Sequence, residues 1–114
     1  MTVTYCNTDS FLGAWLRGIE IAGIEWFGDG AWSKSKPTKP TKWDYRPNCT
    51  MEELWRLSTR DAVFLAAMYS FYNPATGGRM LEELGYKSPG KLATTLGEPQ
   101  LRVLADLMVA YEGW

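Results

Sequence analysis

The sequence predicts an all-α fold: a compact orthogonal bundle of four to five short helices around one core. Three observations carry this. Apolar residues recur at helical spacing in several separate stretches, each giving one buried stripe. From Thr50 onward, helix start and stop residues punctuate the chain at short intervals. The length of 114 residues, with 46% hydrophobic residues and a formal charge of -1, fits a single globular domain over 1–114. Within it, residues 28–49 read as a long basic, aromatic loop and residues 50–114 as the helical core.

In chain order, Thr2-Val3-Thr4-Tyr5 alternates and is a candidate for a short N-terminal strand. Asp9 or Ser10 then supplies a helix cap. Phe11, Leu12, Trp15, Leu16 and Ile19 follow on one face, while Gly13, Gly18 and Gly23 each weaken the helix by about 1 kcal/mol against Ala. Ile19–Trp26 also alternates, so the helix is expected to run into an extended piece. Pro37, Pro40 and Pro47 exclude regular helix or central strand from 28–49. Trp32, Trp43 and Tyr45 are expected to pin the ends of that loop to the core.

The remainder is helix and turn. Thr50–Glu53 forms a capping box, and Ser58–Asp61 resembles a second one. The first starts a short helix carrying Leu54, Trp55 and Leu57. The second starts Asp61–Tyr72, whose faces are all apolar or small, the pattern of a central buried helix. Asn73-Pro74 stops it. Gly77-Gly78 reads as a turn needing positive φ. Arg79–Leu84 is a short helix ending at Gly85. Ser88 caps the next helix with Pro89 at its first position, and Pro99 opens the last. The expected core is Phe64, Leu65, Met68, Phe71, Leu81, Leu84, Leu92, Leu96, Leu101, Leu104 and Met108, joined by Leu12, Trp15 and Trp55.

Several function classes are excluded by composition. The chain has no histidine, which removes Ser-His-Asp and Cys-His catalysis and the histidine zinc sites. Two cysteines, Cys6 and Cys49, are too few for a four-thiolate metal site. They are expected as free, partly buried thiols, a single disulfide being the alternative. The adjacent carboxylates Glu52/Glu53 and Glu82/Glu83 point apart on a helix and form no converging dyad. No catalytic residue, metal ligand or cofactor cradle is assigned. Near-zero net charge excludes a strongly acidic nucleic-acid mimic or a strongly basic coat protein. No apolar run approaches the roughly 20 residues of a membrane span, and Met1–Ser10 lacks a secretory signal layout, so a cytoplasmic protein is expected.

What remains is binding. Residues 28–49 hold five of the twelve basic residues and two acids, a local charge of +3. Loops beyond about 12–15 residues are uncommon in compact domains and are often functional. Trp, Tyr and Arg dominate interface hot spots. Trp32, Lys36, Lys39, Lys42, Trp43, Tyr45 and Arg46 are therefore the candidate protein-binding residues. Self-association through the last helix, ending in Tyr111 and Trp114, is the third reading.

Residues 79–96 read as helix, glycine turn, helix. In outline, Leu81-Glu82-Glu83-Leu84-Gly85 and Leu92-Ala93-Thr94-Thr95-Leu96 resemble the core of DNA-binding helix-turn-helix proteins. Gly85-Tyr86-Lys87 is similar to a turn of phage terminase small subunits. That resemblance implies DNA contacts from Lys87, Ser88 and Lys91, with Arg79 and Arg102 near phosphates. Because residues 50–114 sum to a charge of -2, a weak footprint for DNA, this is the second reading.

Phe11-Leu12-x-Ala14-Trp15, an irregular stretch, Leu54-Trp55, and a helix with Asp61 and Met68 resemble small accessory proteins of phages, plasmids and integrative elements. The resemblance implies a mobile-element origin. The leading expectation is a non-enzymatic module that binds and modulates host machinery, as an anti-CRISPR or other anti-defence inhibitor does.

Overall fold

The computed structural model describes residues 7–28 and 41–114. Six α-helices occur among them: α1 Asn7–Ala22, α2 Met51–Trp55, α3 Thr59–Tyr72, α4 Pro74–Leu84, α5 Pro89–Thr95 and α6 Glu98–Ala110. Two of these are short, which takes the count above the four to five expected. The described residues contain no strand, only an isolated antiparallel bridge between Phe27 and Pro47. The candidate strand Thr2–Tyr5 lies outside the described residues.

The caps explain most helix starts. Thr50 Oγ1 accepts from the Glu53 amide at 3.2 Å while Glu53 Oε1 accepts from the Thr50 amide at 2.8 Å, the reciprocal box that starts α2. Ser58 Oγ accepts from the Asp61 amide, and Ser88 Oγ from the Lys91 amide, each at 3.2 Å. Gly85, at φ 86°, ends α4 in the left-handed conformation. Gln100 is buried, and its side-chain oxygen accepts from the Gly97 amide at 2.9 Å ahead of α6.

Three boundaries differ from the sequence reading. First, α1 begins by Asn7, so Asp9 and Ser10 lie inside the helix rather than capping it. Second, the chain after α1 is not extended. Gly23 takes φ 114°, which L-residues rarely adopt, and Ile24–Trp26 forms a 3-10 turn. Third, Gly77 and Gly78 are no turn but lie within α4. Asn73-Pro74 both ends α3 and begins α4: the Asn73 amide donates to Tyr69 O at 2.9 Å, its Oδ1 accepts from the Thr76 amide at 3.0 Å, and Pro74 takes the first position.

The centre is α3. Its residues Ala62 to Met68 are buried without interruption, so this helix is enclosed on all sides. The most extensive helix contacts are α3 with α4 and α1 with α6, and α3 also touches α1, α2, α5 and α6. Gly77 sets the closeness of the α3–α4 pair, since a Cβ there would stand 2.4 Å from the Ser70 backbone.

Trp55 and Met108, expected in the core, are 59% and 61% exposed. In each case the preceding residue is fully buried, Leu54 in α2 and Leu107 in α6. One residue further is about 100° around the helix, which turns the larger side chain outward. The inner face of α6 is Gln100, Val103, Leu104, Leu107 and Ala110.

Candidate interaction surface

The two ends of the 28–49 segment are joined at a neck. The Gly28 amide donates to Arg46 O at 2.8 Å, and the Asn48 amide to Trp26 O at 2.6 Å. Beyond the neck, Thr41 begins a 3-10 turn over Lys42–Tyr45, closed by the Thr41 amide donating to Asp44 Oδ2 at 2.8 Å. Trp15, buried in α1, donates from its indole Nε1 to Tyr45 O at 2.9 Å. The far end of the loop is therefore fastened to the core at Tyr45, as expected, whereas Trp43 packs on Trp114 and Trp32 lies outside the described residues.

The candidate protein-binding residues separate into distinct environments. Trp32, Lys36 and Lys39 lie outside the described residues. Trp43 is half exposed at 51%, and Arg46 is exposed. Tyr45 is buried at 3% and is a core side chain rather than a contact residue. Burial, and next the Asp44 carboxylate, push its hydroxyl above the ordinary value of 10.0. Lys42 is also turned inward: its ammonium donates to Gly113 O and lies 5.6 Å from the Phe11 ring centroid and 5.4 Å from that of Trp114. Trp43 itself packs edge-on to Trp114, with ring centroids 6.2 Å apart.

Trp114 gathers these groups. Its ring lies 4.9 Å from that of Trp15, 5.2 Å from Tyr72 and 5.8 Å from Phe11. Beside it, Tyr111 packs on Phe11 and Phe71, and its hydroxyl donates to Phe71 O at 2.9 Å. None of these rings is among the candidate protein-binding residues, and Tyr111 and Trp114, expected at the end of the last helix, lie past the end of α6 at Ala110 and pack back on Phe11. The members of this aromatic cluster run from Phe11 to Trp114, nearly the whole length of the chain, so spacing carries no signal for it.

Four of the five residues assigned to DNA contact are engaged locally. Lys87 pairs with Glu82 at 3.5 Å and Arg102 with Glu98 at 2.9 Å. The Lys91 ammonium lies 5.8 Å from the Tyr86 ring centroid. Ser88 caps α5, and Arg79 is exposed on α4. The helix-turn-helix outline does recur as α4, turn and α5, but α5 has only seven residues and no buried one.

Among the described residues, the carboxylates and the thiol show no converging arrangement. Glu53 is occupied in the α2 box and Glu82 by Lys87. Among the described residues, no three Asp, Glu, Cys or His gather as a metal-holding group. Cys49 is free and buried, with its thiol pushed up to about 12 by burial and then by Glu53. Such a thiol stays protonated and weakly nucleophilic. Cys6 lies outside the described residues.

One cleft, about 640 Å³, runs between α1 and α6. Ser10, Gly13, Ala14, Val109 and Ala110 line it, with the Arg17–Asp106 ion pair at its edge. No helix of the described residues is long and apolar enough to cross a membrane. The chain matches no protein family, no curated protein and no solved structure.

Proposed function

We propose that the chain is a non-enzymatic protein-interaction module. In this reading it is an accessory protein of phage or mobile-element type that binds and modulates host machinery, as an anti-CRISPR or other anti-defence inhibitor does. The observation that carries the reading is Trp43. A large aromatic ring is held 51% exposed on a turn capped at Thr41 and tied down through the carbonyls of Tyr45 and Arg46, braced by Trp114, with exposed Arg46 three residues on. Trp and Arg are the residue types enriched at interface hot spots. A side chain already fixed in place loses little freedom on binding. The 28–49 segment that holds it carries five of the twelve basic residues, Arg46 included, which favours encounter with acidic protein surfaces.

The test is capture from bacterial lysate, with and without nuclease, by the tagged chain and by a Trp43→Ala/Arg46→Ala double variant. A stoichiometric protein that survives nuclease and is lost with the double variant supports the reading. Equal capture by the variant removes the surface from it. Material lost on nuclease treatment, with nucleic acid bound in the untreated half, transfers the function to residues 79–96.

A further inference from the structure

The end of the basic segment is braced by residues 113 and 114 as well as by the helices. On one side, Gly113 O accepts from the Lys42 ammonium, which also lies 5.4 Å from the Trp114 ring centroid, and the Trp43 ring packs on Trp114. On the other side, Trp114 meets Trp15 at 4.9 Å and Tyr72 at 5.2 Å. Gly113 takes φ 95°, a conformation that L side chains rarely adopt and that turns the chain back onto the bundle. The Trp114 indole Nε1–H is buried with no acceptor among the described residues. An unpaired buried donor weakens the docked state that contains it.

We infer that Trp114 is the positioning residue of the Trp43 surface. Docked, it holds Lys42 and fixes the presentation of Trp43. Undocked, it leaves the 41–46 turn without its outer brace, and its own indole regains a hydrogen bond to water. Contacts shared by two elements couple them reciprocally, so loosening Lys42 also loosens Trp114. The functional meaning rests on the proposed interaction reading. The coupling itself is measurable without any partner.

The experiment is hydrogen exchange by NMR on the full chain, comparing wild type with Trp114→Ala, Trp114→Phe and Lys42→Met. Trp114→Ala is expected to speed amide exchange across 41–46 by about tenfold or more while α3 stays protected. The Asp44 amide, bonded to Thr41 O at 3.0 Å, is the reporter. Trp114→Phe keeps a ring and removes the orphan donor, so it is expected to restore protection. Lys42→Met is expected to shift the Trp114 indole Nε1–H resonance and speed its exchange with water. Unchanged exchange at 41–46 in Trp114→Ala overturns the inference, as does failure of Trp114→Phe to rescue. If Trp114→Ala loses α3 protection as well, Lys42→Met decides: unchanged exchange of the Trp114 indole N–H with water overturns the coupling, and faster exchange supports it. Loss of the interaction reading in the capture experiment leaves these exchange results standing, so the two failures are distinguishable.

Discussion

The indole Nε1 of Trp15 donates to the backbone carbonyl of Tyr45 at 2.9 Å, across thirty residues of sequence. This bond ties the buried face of α1 to the far end of the basic segment. It pairs two buried polar groups at once, which is the condition for a buried tryptophan and a buried carbonyl to be tolerated together.

Trp15→Phe removes the donor and keeps most of the ring. The Tyr45 carbonyl then loses that partner in a buried site, a cost of about 1–3 kcal/mol. The expected outcome is a lower midpoint in chemical denaturation, with faster amide exchange at 41–48 than in α4. Uniform loss of protection across the chain would mean that Trp15 acts only as core volume.

Gly77→Ala and Gly78→Ala are expected to act in opposite directions. A Cβ at Gly77 would stand 2.4 Å from Ser70 backbone atoms, whereas one at Gly78 meets nothing within 4 Å. Backbone cannot retreat as a flexible side chain can. Gly77→Ala should therefore cost about 1–3 kcal/mol or more through separation of α3 from α4. Gly78→Ala should stabilise by up to about 1 kcal/mol through helix propensity. Thermal denaturation of the two variants side by side checks the pair.

The same residues show what was legible in the sequence. Capping signals act within four residues, so Thr50/Glu53, Ser58 and Ser88 were readable and are found in place. The central helix was readable because Ala62–Met68 is apolar or small on every face. At Gly77 the structure differs from the sequence expectation because the glycine's role is tertiary: it serves a helix crossing at Ser70, whereas local propensity there favours a turn. Trp55 and Met108 differ from the expected core by one residue of helical phase, which apolar periodicity leaves open when neighbouring positions are both hydrophobic. On the candidate surface, the pinning of the loop end was legible from its aromatics. The inward turn of Tyr45 and Lys42 was not, since it depends on Trp15, Phe11, Gly113 and Trp114, all distant in sequence.

Cys49 gives a pH prediction. Its folded thiol is pushed up to about 12 from an ordinary value of 9.0, first by burial and then by Glu53. The fold thus favours the neutral thiol. That contribution is fully present below the unfolded value of 9.0 and is lost as pH rises from there towards about 12. Tyr45 and Tyr69 are shifted upward in the same sense, burial being the larger cause in both. Stability is expected to fall on the alkaline side, less steeply in Cys49→Ala. Site-resolved alkylation should leave Cys49 unmodified in the native chain and label it in denaturant.

Trp43 and Tyr45 sit two residues apart on one turn and are expected to separate binding from folding. The Trp43 ring is half in solvent and touches Trp114 at its edge. Its truncation to Ala should cost about 1 kcal/mol of stability, the scale of a single exposed aromatic pair, while removing the captured protein from nuclease-treated lysate. The Tyr45 side chain is buried in the core cluster with Trp15 and Phe27. Its truncation to Ala leaves a cavity and should cost about 2–5 kcal/mol, with capture reduced only in proportion to the unfolded fraction. Denaturation midpoints and capture yields, measured on the same preparations, make the comparison. Retained capture by a well-folded Trp43→Ala would move the contact surface away from this turn. Marked unfolding of that variant would make Trp43 a core residue, and its exposed ring would then carry no argument for binding.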